Sequence, residues 1–242
     1  MSEFKRYLNV VQEMKVIPGL KDSLKNKYLS FSQVIADLKN KKEQYLIFLV
    51  GLPSSGKSTF TKKFKNHVGD ENVGILERDK MVILNAKLIN RSFNTQKLTY
   101  DASFEKSGNK KTIDKNIDDL MSIKEKKIKD KKFVIIDMTN MTKTKRSLYI
   151  KKYNKTRKII VIDFYKNLHQ EEMKNFMINK FVKKSKNRQD QEKNEVNKKT
   201  INLDVYKRMI KDYQEPEISE GINKIYNIDK SEIINILRGK NK

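Results

Sequence analysis

The sequence has no cysteine. That excludes a disulfide framework, a disulfide-linked partner and any thiolate metal site. It has two histidines, His67 and His169, too few and too scattered for a zinc cluster, and each reads as a surface residue. No stretch approaches the 18 or so consecutive apolar residues of a membrane span. The first residues, Met1 to Arg6, have no apolar core of the kind a secretory leader needs. The expectation is a soluble, cytoplasmic protein with no membrane partner. Acidic residues are few against basic ones, 30 against 54, for a net charge of +24. Such an excess favours polyanionic partners, nucleic acid above all. Arginine is scarce within it, with 8 of the 54 basic residues. The lysine-heavy remainder is also what an A+T-rich genome writes on solvated faces, and both readings of the charge stand.

At 242 residues the chain is the size of one domain, or one domain with an appendage, and long enough to fold on its core alone. The most informative stretch is 44–60. Tyr45 to Val50 is a continuous apolar run without polar alternation, the pattern of a strand buried on both faces of a parallel sheet. It leads into Gly51-Leu52-Pro53-Ser54-Ser55-Gly56-Lys57-Ser58, which fits G-x-x-x-x-G-K-[ST] at every fixed position, and then into a stretch of helical composition, Thr59 to His67. Strand, loop and helix in that order are the context that gives the motif its meaning. Gly51 and Gly56 permit backbone that a Cβ would penalise. Successive N–H groups then turn inward as an anion nest, and the helix beginning near Lys57 adds its positive end. Lys57 supplies a mobile charge for β- and γ-phosphates, and the Ser58 hydroxyl is placed for Mg²⁺. Nucleoside triphosphate binding, with Mg²⁺ beside it, follows for Gly51 through Thr59.

Further strands are expected at 73–76, 133–137, 158–164 and 222–228, with helices between them. Alternation of this kind implies right-handed crossovers and a parallel sheet. The fold class is therefore α/β, a P-loop NTPase of kinase type with a five-stranded parallel sheet flanked by helices. Residues 1–43 form an N-terminal helical extension to a kinase domain over 44–242. Within the extension, Phe4, Leu8, Val11 and Met14 share one face of a helix that Pro18-Gly19 ends. Ser30 and Gln33 have capping-box spacing for a second helix, Ser30 to Lys39. The extension packs on the kinase body or serves as a separate binding module. Other helices are expected over much of 81–130 with a break at Gly108-Asn109, from Thr142 to Tyr153, from Leu203 to Tyr213 with Val205, Met209 and Ile210 inward, and from Ser231 to Leu237.

In open α/β sheets the site lies at the carboxyl ends of the strands. Asp79 follows the second strand there, Asp137 ends the third, and Thr139-Asn140 come next. Phosphoryl transfer needs Mg²⁺, cations about the transferring group and often a carboxylate to take the acceptor hydroxyl's proton. Asp79 fits that last role, or equally an ordinary helix N-cap. Asp137 has the position of a second carboxylate near Mg²⁺, beside Ser58. Thr139 and Asn140 either face the acceptor or cap the next helix. The basic stretch near 180–199, with Lys180, Lys183, Lys184, Lys186 and Arg188, lies where P-loop kinases carry a lid whose cations meet the phosphates. A solvated helix is the other reading of those lysines.

Taken together, Gly51–Thr59, Arg78-Asp79, Asp137-Met138-Thr139-Asn140, the basic lid, Tyr213-Gln214-Glu215-Pro216 and Glu220-Gly221 resemble the kinase domain of the polynucleotide 5′-hydroxyl kinase family, over roughly residues 44–228. The resemblance implies transfer of the ATP γ-phosphate to a 5′-hydroxyl end of RNA or DNA. It makes Asp79 the general base, Lys57, Asp79 and Arg188 the catalytic set, Lys184 and Arg188 the paired lid cations, and Arg78, Thr139 and Asn140 acceptor-side residues. The chain departs from the family in three places. Val82 stands where phage-type members carry an acceptor-binding arginine, Lys184 replaces one lid arginine, and Thr200 to Leu203 lacks the usual Val-Pro. No phosphatase or ligase signature is present. Two alternatives stay open: a kinase acting on a small metabolite or a tRNA-linked acceptor, and an ATP-binding switch without catalysis.

Overall fold

The computed structural model describes residues 28–89, 110–166, 201 and 203–237. The helix expected over Phe4 to Met14, the Gly108-Asn109 break, His169 and the whole lid, with Lys180, Lys183, Lys184, Lys186 and Arg188, lie outside the described residues.

Five strands form one sheet: β1 (Tyr45–Val50), β2 (Val73–Leu76), β3 (Phe133–Ile136), β4 (Lys158–Asp163) and β5 (Lys224–Asn227). Their order is β2-β3-β1-β4-β5, and all four pairings are parallel. The sequence dictates this placement. β1 is buried at all six positions, so it needs neighbours on both edges and cover on both faces. Tyr45 pairs with Phe133 on one side and with Lys158 on the other. β5 is the edge strand at one end and alternates more, with only Tyr226 buried.

The helices are α1 (Phe31–Lys39), α2 (Lys57–Val68), α3 (Arg78–Ile89), α4 (Lys110–Ile128), α5 (Lys143–Tyr153), α6 (Leu203–Lys211) and α7 (Lys230–Leu237). Right-handed crossovers in this strand order put α2 on one face of the sheet and α3, α4 and α5 on the other. α1 joins α2, with the Phe31 and Phe60 rings edge-to-face at 5.4 Å. α1 begins with the expected capping box, in which Ser30 accepts from the Gln33 amide and the Gln33 side chain accepts from the Ser30 amide. Its buried residues, Phe31, Val34, Ile35 and Leu38, belong to the same core as β1. Leu29 bridges to Ile228 beyond β5. The described part of the extension is thus packed on the body.

Some element limits differ from expectation. α6 stops at Lys211, and its fully buried residue is Tyr206, while Val205, Met209 and Ile210 are half-buried. Tyr206 shares a face with 209 and 210 at helical spacing, and its larger ring takes the centre of the contact. β5 is shorter than 222–228, although Ile222 and Ile228 remain buried at its flanks. Among the described residues, no helix is long and apolar enough to cross a membrane.

Candidate functional site

The loop Gly51–Ser58 leaves β1 at its carboxyl end, in the centre of the sheet. Two contacts fix where it starts: the Gly51 amide donates to the Thr139 carbonyl at 3.0 Å, and the Phe164 amide donates to the Val50 carbonyl at 2.8 Å. At Gly51 the constraint is space rather than angle, because a Cβ there would lie 2.9 Å from both Phe164 Cβ and Ser55 Oγ. At Gly56 it is both. Its φ is +101°, and a Cβ would meet Ile236 Cδ1 at 2.3 Å. The loop therefore rests on α7 through Ile236 and on α1 through Phe31. Ser54, with φ +64°, takes the left-handed backbone that turns successive amides to one side.

Three features of this loop fit a polyphosphate. α2 begins after Gly56 with no side chain capping its first amides, which leaves them for an anion. Ser55 Oγ is buried with no hydrogen-bond partner among the described residues. Lys57 is 8% exposed and its ammonium donates to the loop's own carbonyls, Gly51 at 2.9 Å and Leu52 at 2.7 Å. A buried cation beside a helix start whose N-cap, Gly56, has no side chain is complementary to phosphate oxygens.

Beside it, Ser58 Oγ donates to Asp137 Oδ2 at 3.3 Å. Asp137 follows β3, and its amide donates to the Leu76 carbonyl at 3.0 Å, which brings it alongside Glu77. Burial pushes the Asp137 carboxyl above the ordinary range. The Lys57 ammonium pulls it down, the charges of Glu77 and Asp79 push it up, and the Ser58 hydrogen bond pulls it down. Lys57, Ser58, Glu77, Asp79 and Asp137 thus share one electrostatic site. No three histidine, aspartate or glutamate side chains gather into a metal cage among the described residues. A hydroxyl and one carboxylate suit Mg²⁺, which keeps most of its waters and takes phosphate oxygens for the rest.

Asp79 lies in the first turn of α3, which starts at Arg78, so it is inside the helix rather than at its N-cap, and it is exposed. Arg78 reaches back to α4, where its Nη2 donates to Asp114 Oδ1 at 2.6 Å. Val82, where the resembled family has an arginine, is fully buried under α3.

Thr139 and Asn140 sit at the mouth but do different work. Thr139 offers its carbonyl to Gly51, and Thr142, not either of them, caps α5. Asn140, at φ +47° and 1% exposed, donates its amide to the Leu49 and Ile136 carbonyls at 3.0 Å each and to Met138 at 3.2 Å. It ties the ends of β1 and β3 together.

Sequence reasoning missed two groups. Arg146 on α5 is fully buried, grips Glu220 through Nε at 2.8 Å and Nη2 at 2.6 Å, and donates from Nη1 to the Asn140 carbonyl at 3.0 Å. The signal was available: an arginine in a chain that otherwise writes lysine marks a place where a planar, bidentate fork is needed. Asp163, at the carboxyl end of β4, accepts from the Tyr165 and Lys166 amides at 2.7 and 3.0 Å and from the Tyr213 hydroxyl at 2.7 Å. Burial raises its pKa and those hydrogen bonds oppose the rise. The strand-end rule that selected Asp137 selects Asp163 too, once β4 is seen to stop there.

The family described as "Chromatin associated protein KTI12" matches this chain over residues 45–222. A curated relative, "L-seryl-tRNA(Sec) kinase" of Methanococcus maripaludis, is 36% identical over 101 residues. That stretch is 42% of this chain, and the chain spans 32% of the relative's length. A solved structure, "Crystal Structure of Fungal RNA Kinase", superposes with a TM-score of 0.44 at 13% identity, covering 82% of this chain and 83% of that one.

Proposed function

Because the chain belongs to the family described as chromatin associated protein KTI12, and because it carries a complete phosphate loop beside a strand-end carboxylate, we propose that it is a P-loop kinase moving the γ-phosphoryl group of ATP to a hydroxyl carried on RNA. The observation behind this reading is the cluster of Lys57, Ser58 and Asp137 at the carboxyl end of β1, with Ser58 Oγ 3.3 Å from Asp137. The backbone N–H groups of Leu52 and of Ser54 through Thr59 hold the polyphosphate, Pro53 having none to offer. Lys57 gives up its loop carbonyls for β- and γ-phosphate oxygens. Ser58 and Asp137 hold Mg²⁺. When bound, ATP would supply the phosphoryl group and Mg²⁺ would offset its charge. Asp79 takes the proton from the acceptor hydroxyl as that oxygen bonds to the γ-phosphorus, the bond from phosphorus to the β,γ-bridging oxygen breaks and ADP leaves. Arg188, with Lys184, brings positive charge from the lid to the transferring group. The kinase body is 44–242, and 1–43 is an extension whose α1 backs the phosphate loop.

The finer reading is a 5′-hydroxyl acceptor, from the motif set and with Arg78 on the acceptor side. A second reading, a tRNA-linked hydroxyl, is favoured by the 36% identical stretch shared with a tRNA kinase and by Val82 in place of the acceptor arginine. One experiment separates them. RNA labelled from γ-³²P-ATP is digested to nucleotides and the labelled product identified. A nucleoside bearing a 5′-phosphate from a 5′-hydroxyl oligonucleotide supports the first reading. Label that appears only on aminoacylated tRNA and is released by mild base supports the second. ATP binding with label on no RNA overturns both.

A further inference from the structure

A cavity of about 200 Å³ lies between α3, α4 and α5 at the carboxyl end of β3. Two of its wall residues adjoin the candidate carboxylates in sequence: Arg78 precedes Asp79, and Met138 follows Asp137. The other apolar walls are Met121 and Tyr149. The Tyr149 ring is held edge-on to Phe48 at 6.4 Å. The volume is below the roughly 300–1,000 Å³ of drug-sized sites, which suits a single ring system. The polar lining is Asp118, Glu125, Ser122 and Arg78. Asp118 is exposed to the cavity mouth, and Glu125 is 8% exposed. The Arg78 guanidinium is already paired with Asp114, and both Glu125 oxygens are engaged, by the Lys152 ammonium at 2.7 Å and by the Tyr153 hydroxyl. The field is negative enough that Glu125 and Asp118 add to the upward push that burial gives the Tyr149 hydroxyl. In a chain of net charge +24, this hollow is poorly suited to phosphate. It suits a flat, uncharged ring whose edge donates hydrogen bonds.

We propose that the cavity bounded by Met121, Met138, Tyr149 and Asp118 receives the terminal nucleobase of the RNA acceptor and favours a base with an exocyclic amino group, which Asp118 accepts. The methionines and the tyrosine cover the faces of the ring. A carboxylate accepting from cytosine N4 is an established mode of base reading, whereas uracil presents a carbonyl at the same place. This inference rests on the RNA-kinase reading above and extends it to the base beside the reacting hydroxyl.

The test is equilibrium binding of the full chain, with a non-hydrolysable ATP analogue and Mg²⁺, to three 5′-hydroxyl oligoribonucleotides that differ only at the first position: cytidine, uridine or an abasic ribose. The cytidine end is expected to bind about five- to tenfold tighter than the uridine end, with the abasic end weakest. Asp118→Asn is expected to bring cytidine and uridine within twofold of each other. Tyr149→Leu is expected to shrink the advantage of both bases over the abasic end. Equal affinity for all three ends overturns the base pocket. Phosphoryl transfer that is indifferent to the terminal base overturns this inference alone. Failure to bind any of the three oligonucleotides overturns it together with the 5′-hydroxyl reading.

Discussion

At Ser55, stability and nucleotide binding are expected to pull in opposite directions. Its hydroxyl is buried in the loop after β1 without a partner among the described residues, and an unsatisfied buried polar group costs about 1–3 kcal/mol. Ser55→Ala is therefore expected to stabilise the nucleotide-free chain by about 1 kcal/mol in urea unfolding. The same change should weaken ATP binding by about tenfold, since a hydrogen bond to a charged oxygen is worth ~1.5–3 kcal/mol. Loss of stability on substitution would show that the hydroxyl works within the fold instead. For Asp79, replacement by Asn is expected to slow turnover by about 10²–10⁴ while nucleotide affinity holds. A rate within about tenfold of the parent removes Asp79 from the role of base. At this scale the strand, loop and helix of residues 45–68 were legible in the sequence, since the spacing of Gly51, Gly56 and Lys57 has one structural meaning. The roles of Thr139 and Asn140 were not, because the amide of Asn140 is spent on carbonyls 91 and 4 residues away, and only the folded chain brings those together.

Between elements, two side chains far apart in sequence hold the mouth of the site. Arg146 on α5 joins the Asn140 turn to Glu220 across 74 residues. Removing one partner of such a buried pair costs ~3–5 kcal/mol. Arg146→Ala is expected to lose that much in denaturant unfolding and to loosen the turn that anchors Gly51. Arg146→Lys, a charge without the fork, should restore only part of it. Full recovery in the lysine variant would contradict the bidentate account. On the other face Asp37 of α1 accepts from Lys224 at 2.6 Å and from the Tyr226 hydroxyl, both on β5. The Lys224 and Tyr226 hydrogen bonds lower its pKa from 3.8 to about 2. A folded-state pKa below the unfolded one gives stability that is present above about pH 4 and lost as pH falls toward 2. Asp37→Asn should lack that component, so the gap between variant and parent in urea midpoint closes over this window. A gap that is constant from pH 5 to 2 would contradict the pairing. The α1 capping box was readable from Ser30 and Gln33 alone, because a cap is a local contact. The Asp37 pairing was not, since its partners lie 187 and 189 residues on.

Over the whole molecule, the strand pattern of the sheet could be read because each central strand is a short apolar run that helices cover on both sides. The limits of β1 and β2 were found to the residue, and β3 and β4 end one residue earlier than the apolar runs suggested. The polar residues that end those runs, Asp137 and Asp163, mark the edge that carries the site. The net charge of +24 told less, because it names a class of partner without saying where that partner lies. The account's central claim is that the γ-phosphoryl group ends on RNA rather than in water. The direct measurement follows that group, comparing label on RNA with inorganic phosphate released in the same reaction, for the full chain and for Lys57→Ala. The account predicts that most transferred label is RNA-bound, and that both products vanish in the variant. Phosphate release that depends on Lys57, with no label on any RNA, would contradict it and make the chain an ATP-driven switch.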